Sequence, residues 1–270
     1  MKHPVFGLEK PYFEQIGREI IIYTDDTCFD GFSNMIAVKK GEKKILVAFS
    51  ASENAFLVNK LNPDGTVGIS PLFDIPETLS NERVLSPNGK QGILDAKNKT
   101  VDFFVADDKA AEKVVQPGDV LYLKPTCEPL GDSYITNQIP YFLKQIFCDY
   151  IKHGAAKISI AFLREKQKGA HALGIHFPAD EAYFVTCAED LPKEFCFVKK
   201  EGDFVSTIDV PALPTAVCKD SVSTANSYYL SGGCEKVATL ALHMKKLPNG
   251  NYRIKKEAVK QLTAFLESLK

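Results

Sequence analysis

Residues 101–125, VDFFVADDKAAEKVVQPGDVLYLKP, carry four signals in one short span. Thr100–Ala106 is a β-type run of apolar and aromatic residues. Asp107 and Asp108 then precede KAAEKV, a cap followed by good helix formers. Gln116-Pro117-Gly118-Asp119 breaks that helix, and DVLYLKP returns to strand character. Upstream, from about Lys60, GTVGIS, ERVLS and QGILDA alternate with the breakers NPDG, SPNG and AKNK. Strands at this spacing, interrupted by one helix, predict a small β-barrel over residues 60–129.

The flanks read differently. Asn34–Val38 and Lys44–Ala48 are two β-type runs that KKGEK joins, with Gly41 as the turn, so they predict a hairpin. Asn137–Lys152 carries a wide apolar stripe at helical spacing, with Thr136 or Asn137 as cap and Gly154 as stop. Lys157–Leu163, Glu181–Cys187 and Val237–Leu242 read as strands, and Ile254–Leu269 as an amphipathic helix. The simplest assembly is one discontinuous α/β domain, 1–59 with 130–270, into which the barrel is inserted.

The 270 residues are 45% hydrophobic and 25% charged, enough for a large core. With 33 basic and 34 acidic side chains the net charge is −1, which points to neither a nucleic-acid nor a membrane-surface partner. No apolar run approaches the ~18–20 residues that cross a bilayer. MKHPVFGLEKPYF lacks the features of a signal peptide, so a cytoplasmic location is expected. The seven cysteines are odd in number and too scattered for a disulfide framework or a zinc knuckle. The 18 Phe and 10 Tyr scatter through core positions without a stacking stripe.

Polar residues crowd the end of the Lys44–Ala48 strand: Ser50, Ser52, Glu53 and Asn54. Ligands of α/β sheets bind at such strand ends. A serine nucleophile needs a base and an oxyanion hole. No Gly-x-Ser-x-Gly elbow exists, and nothing ties His153, His171, His176 or His243 to Ser50. The serines therefore read as groups that satisfy the backbone. His171 and His176 would approach one metal only from a strand or loop, and they lack a third ligand. Asp25-Asp26 reads as a turn. Arg164, Glu165, Lys166 and Lys168 read as a solvated loop, or as a carboxylate or phosphate site if the loop faces the strand ends.

In this order, these segments resemble the M42 family of metallo-aminopeptidases, the glutamyl and deblocking aminopeptidases of the tetrahedral class. Asp30-Gly31-Phe32-Ser33-Asn34-Met35-Ile36-Ala37-Val38-Lys39-Lys40-Gly41 resembles the family's Asp-x-x-Gly-Asn-Leu-Ile-Ala-Val-Lys-x-Gly word. Asp64-Gly65 with GISPL resembles the start of its inserted barrel, and Val101–Pro125 its strand, Glu- and Ala-rich helix and Pro-Gly-Asp strand. The resemblance runs from about Asp30 to the C-terminus. It implies a Zn-peptidase-like α/β/α domain with an inserted small β-barrel. It also implies two zinc or cobalt ions held by two His, two Asp and a Glu, and a second Glu as general base. The activity implied is release of N-terminal residues from peptides, by chains that form dimers and tetrahedral dodecamers.

Carried over position by position, that ligand set is replaced. On the register of Glu53 and Phe56, Ser50 stands at the first His and Ser52 at its Asp partner. Thr136 stands at the bridging Asp, followed by Asn137 and by Gln138 in place of an Arg. The Glu-Glu pair falls on Leu163-Arg164, with Glu165 one slip away. Thr186 stands at the next Asp, and Pro248 at the last His, five residues from His243. A Gly-Gly-Thr-Asp word is blurred into Ser223-Thr224-Ala225-Asn226. Neutral hydroxyls hold divalent metals poorly, so no metal cofactor is expected and no catalytic residue is assigned. The expectation is an M42 peptidase-like homo-oligomer without aminopeptidase activity, a binding or assembly protein whose cleft takes a peptide or small molecule. The alternative is an active metal-dependent aminopeptidase whose ligands lie outside this register. A third reading, new chemistry in the same cleft, requires strongly shifted acids or histidines.

Overall fold

Apolar runs buried on both faces have to lie in the middle of a sheet. In the computed structural model four of them do: β3 (Ile45–Ser50), β12 (Ser159–Leu163), β13 (Glu181–Ala188) and β16 (Lys236–Lys246). They run parallel in the order β12-β3-β13-β16. Residues 10–52, 54–72, 79–164, 166–200, 215–218, 230, 233–234 and 236–269 are described. Beyond β12 the sheet continues antiparallel through β2 (Met35–Val38) to β1 (Asp26–Phe29). Beyond β16 it forks. The first half of that long strand pairs with β14 (Phe195–Lys200), which pairs with β15 (Thr215–Cys218). Its far end pairs with β17 (Tyr252–Lys255), followed by β11 (Ser133–Thr136) and β10 (Cys127–Leu130).

Strand alternation sends side chains to two helical layers. Ile45, Val47 and Phe49 of β3 pack with α1 (Lys10–Ile20), α3 (Ile139–His153) and α5 (Lys256–Ser268). Leu46 and Ala48 pack with Ala170 and Leu173 of α4 (Lys166–His176). Phe49 stacks on Phe147 of α3 at 4.6 Å and meets Phe162 of β12 edge-on at 4.9 Å. Gly154 ends α3 as expected, but in an extended conformation. Glycine is needed there for close approach, since a Cβ would lie 2.6 Å from the Tyr150 ring.

The barrel forms as expected. It closes in the order β4 (Ala55–Leu61), β5 (Val67–Pro71), β8 (Thr100–Asp102), β7 (Gln91–Asp95), β6 (Arg83–Leu85) and β9 (Val120–Leu123), which returns to β4. Phe56, Val58, Val67, Ile69, Val84, Leu94, Val101, Leu121 and Leu123 fill its interior. Asp107 caps α2 (Asp108–Glu112), accepting from the Ala110 N–H at 2.8 Å, and Ala111 joins the barrel core. The boundaries differ from the sequence reading of 60–129. The barrel starts at Ala55, because Phe56 and Val58 already point inward, and its last strand ends at Leu123. Cys127–Leu130 pairs with β11 and so belongs to the main sheet.

Three local expectations are corrected. Asn34–Val38 and Lys44–Ala48 do not pair as a hairpin, because β12 lies between β2 and β3. The actual hairpin is β1–β2. The β2–β3 link instead crosses the residue leading into β12: a Cβ on Gly41 would lie 3.0 Å from the Lys157 Cβ. The last helix starts at Lys256, since Ile254 is a fully buried strand residue paired with Met244 and Tyr134. Among the described residues Cys187, Cys196 and Cys234 are buried free thiols, while burial pushes the half-buried Cys148 thiol up to about 11. Among the described residues no helix is long and apolar enough to cross a membrane.

Gly65 gives a direct test of the barrel. It has φ +81°, and a Cβ there would lie 2.1 Å from the Val105 carbonyl oxygen. A left-handed alanine alone costs about 1–2 kcal/mol, and the clash adds to it. Gly65→Ala is expected to lose at least about 3 kcal/mol, which lowers the melting temperature by roughly 6–12 °C. A melt within a degree or two of wild type would refute this packing.

Candidate functional site

The carboxyl ends of β12, β3 and β13 lie side by side. Leu163 is the register partner of Ser50. Pairing between β3 and β13 stops at Ala48 and Phe184, while β13 continues beside β16 as far as Ala188 and His243. On the other side β3 stays with β12 through Ser50, and the Ala51 N–H donates to the Leu163 carbonyl at 3.1 Å. The sheet thus opens a crevice between β3 and β13, with Ser50 and Thr186 on its two sides. Both residues follow the alternation of Ala48 and Phe184 and so lie on the α4 face.

Among the described residues the side chains at the ends of β3, β12 and β13 are neutral. Leu163 is fully buried and apolar. Thr186 is 6% exposed, and its hydroxyl donates to the Cys187 carbonyl at 3.5 Å. The Ser52 hydroxyl donates to the Arg164 carbonyl. The Arg164 N–H donates to Asn34 Oδ1 at 2.9 Å, and its guanidinium lies 5.6 Å from the Phe32 ring centre. Asn34 is fully buried. Its Nδ2 donates to Asp30 Oδ2 at 2.6 Å and to the Gly169 carbonyl at 2.8 Å. Asp30 Oδ1 in turn accepts from the N–H groups of Phe32 and Asn34, both at 2.9 Å. Asp30 and Asn34 therefore hold both ends of the β12–α4 loop. Sequence reasoning treated them only as part of a strand word. The available signal was an Asp-x-x-Ser-Asn turn, with Ser33 left-handed at φ 66°.

Thr136, Asn137 and Gln138 lie at the neck of the barrel, where Gln138 meets the chain just beyond Ser52 at Asn54, and all three are at most 2% exposed. Gln138 Oε1 accepts from the Asn54 N–H at 2.6 Å, and its Nε2 donates to the Leu123 carbonyl at 2.9 Å. Asn137 accepts from the Thr126 N–H at 2.9 Å and donates to the Lys124 carbonyl at 2.8 Å and to Glu82 Oε2 at 3.3 Å. The Thr136 hydroxyl donates to the Thr126 carbonyl at 2.7 Å and accepts from the Gln138 N–H at 3.2 Å. Every one of these side chains satisfies backbone.

The remaining positions are dispersed. Pro248 lies in the β16–β17 hairpin turn, closed by the Gly250 N–H on the Leu247 carbonyl at 2.9 Å. Ala241 is level with Thr186, so Pro248 projects beyond the crevice by about 15–20 Å of strand. His243 lies nearer, its Nδ1 3.6 Å from Glu194 Oε2, and Lys255 Nζ holds the other Glu194 oxygen at 2.5 Å. His171 and His176 lie on helix α4 rather than on a strand or loop. Five residues apart, they point about 140° from each other. Glu53, Glu165 and Ser223-Thr224-Ala225-Asn226 lie outside the described residues. Among the described residues no three His, Cys, Asp or Glu side chains are grouped so as to hold a metal ion. The described donors, two serines and a threonine, do not fit a pair of divalent cations.

A mixed sheet under two helical layers, with a closed six-stranded barrel inserted after its first parallel strand, is the M42 peptidase-like fold. The TET1 peptidase of Pyrococcus horikoshii superposes with a TM-score of 0.74 over 99% of this chain and 95% of its own, at 17% identity. A TET aminopeptidase from a marine-sediment Thaumarchaeota archaeon gives 0.75 over 97% and 91%, at 13% identity. A Thermotoga maritima protein described as an endoglucanase gives 0.75 over 99% and 93%, at 16% identity. No protein-family model and no curated protein sequence matches the chain.

Two substitutions test this site. Gln138→Leu leaves the Asn54 N–H and the Leu123 carbonyl buried without a partner. At about 1–3 kcal/mol per group, denaturant unfolding is expected to show a loss of about 2–5 kcal/mol, and a loss below about 1 kcal/mol would contradict the assignment. Ser33→Gly relieves a left-handed side chain and is expected to stabilise by about 0.5–1 kcal/mol. A destabilised variant would contradict the turn.

Proposed function

We propose that this chain is a relative of the M42-type aminopeptidases that has lost the dinuclear metal site, and that it acts as a binding or assembly protein. One observation supports this most. Ser52 and Thr136 stand where the resemblance puts metal ligands, and their hydroxyls donate to main-chain carbonyls. A metalloenzyme needs its ligands anionic or imidazole and free to point at the metal. A neutral hydroxyl offers no charge to a divalent ion, and one already bonded to backbone is held in place rather than free to turn toward a metal.

An active aminopeptidase is the second reading. It is favoured by the likeness to TET aminopeptidases over almost the whole chain. It would need ligands from Glu53, Glu165 and further residues outside this register. Self-association belongs to either reading. Solved neighbours include a dodecamer and a TET1 peptidase that assembles into a tetrahedron or a large octahedral shell.

The deciding measurement is tightly bound metal in protein purified without chelator, with and without added zinc and cobalt. Less than about 0.1 ion per chain is expected, with no release of p-nitroaniline from aminoacyl-p-nitroanilides. About two ions per chain, with activity abolished by chelator, would establish the second reading. Native mass spectrometry is expected to show a closed homo-oligomer, and a monomer at micromolar concentration would refute self-association.

A further inference from the structure

Where the barrel meets edge strand β10, the structure leaves a cavity of about 520 Å³ lined in part by Glu82, Arg83, Lys124 and Glu128. Arg83 and Lys124 are cross-strand neighbours. Val84 pairs with Leu123 in the barrel, and the Lys124 N–H donates to the Arg83 carbonyl at 2.7 Å. Val84 and Leu123 point into the core, so alternation turns Arg83 and Lys124 outward together. Like charges directly opposite each other destabilise a sheet. Among the described residues no carboxylate pairs with either cation, and Lys124 Nζ has only Gln91 Oε1 at 3.4 Å. Two carboxylates complete the wall. Glu82 accepts one long amide hydrogen bond from Asn137 at 3.3 Å, and Glu128 is exposed on β10.

We propose that this cavity binds zwitterionic peptides or amino acids. The Arg83–Lys124 pair receives the ligand carboxylate, and Glu82 with Glu128 receives its ammonium group. The four side chains sum to no net charge, with the two cations side by side across strands, which suits a ligand carrying one charge of each sign. The volume lies within the usual range of about 300–1,000 Å³ for small-ligand pockets. Arg in particular suits two-point recognition of a carboxylate. None of the four charged residues belongs to β3, β12 or β13, and none is called on to hold a metal.

Calorimetric titration of the full chain with alanylalanine, N-acetyl-alanylalanine, alanylalanine amide and inorganic phosphate tests the proposal. Alanylalanine is expected to bind saturably, and each blocked peptide at least tenfold more weakly. R83Q/K124Q should lower alanylalanine affinity at least tenfold, and E82Q/E128Q should abolish the preference for a free amine. Arg83 is exposed, so the single variant R83Q, checked by thermal melting, serves if a double variant fails to fold. No binding at about 20 mM peptide would overturn the proposal. Equal binding of the acetylated peptide and displacement by phosphate would reduce the site to a simple anion site and also overturn it. Unchanged affinity in R83Q would place the peptide elsewhere and overturn it too.

Discussion

One buried amide holds the two halves of this molecule together. Gln138 begins α3, and its side chain reaches the strand entering the barrel at Asn54 and the strand leaving it at Leu123. A neutral amide can donate and accept at once, which is what a carbonyl and an N–H side by side require. A guanidinium could only donate. An ionised carboxylate in the same place would face the Leu123 carbonyl and bear the cost of burying a charge. Thr136 and Asn137 extend the same logic along the neck, each tied to the Lys124–Thr126 connector. The three neck side chains are neutral, buried and bonded to main chain, and the relation of barrel to sheet follows from them.

Much of this is legible in the residues. The barrel declares itself because Pro, Gly and Asn punctuate short strands at even spacing. The parallel core strands declare themselves as apolar runs. The β2–β3 hairpin expectation fails for a physical reason: local sequence cannot reveal that a strand from residues 159–163 will lie between two runs that are close in sequence. The barrel boundary slips because Ala55–Leu61 alternates like any half-buried strand and carries no breaker at its start.

Site positions follow a similar divide. Ser50, Leu163 and Thr186 come together because each sits toward the carboxyl end of a parallel strand and the three strands are neighbours in the sheet. Thr136 sits at a strand end too, but on β11, which joins the sheet through β17 rather than beside β3 and meets the chain beyond β3 through Gln138 on Asn54. Pro248 lies far from them because β16 runs on beyond its parallel partner to pair with β17. Asn34 escapes a reading of the sequence because one amide before an apolar run gives no hint of the loop it holds, which lies more than a hundred residues later.

The barrel neck has a consequence for the architecture as a module. The Leu123 N–H donates to the Asn54 carbonyl at 3.2 Å, so the barrel's two ends already touch. To the sheet, everything between them is a closed loop, and closing a longer loop costs little more than closing a short one. The host fold is therefore nearly blind to what the neck carries. A tight turn joining Asn54 to Leu123 would leave the strand ends, α3 and the crevice in place, and a different barrel could be spliced onto the same two strands.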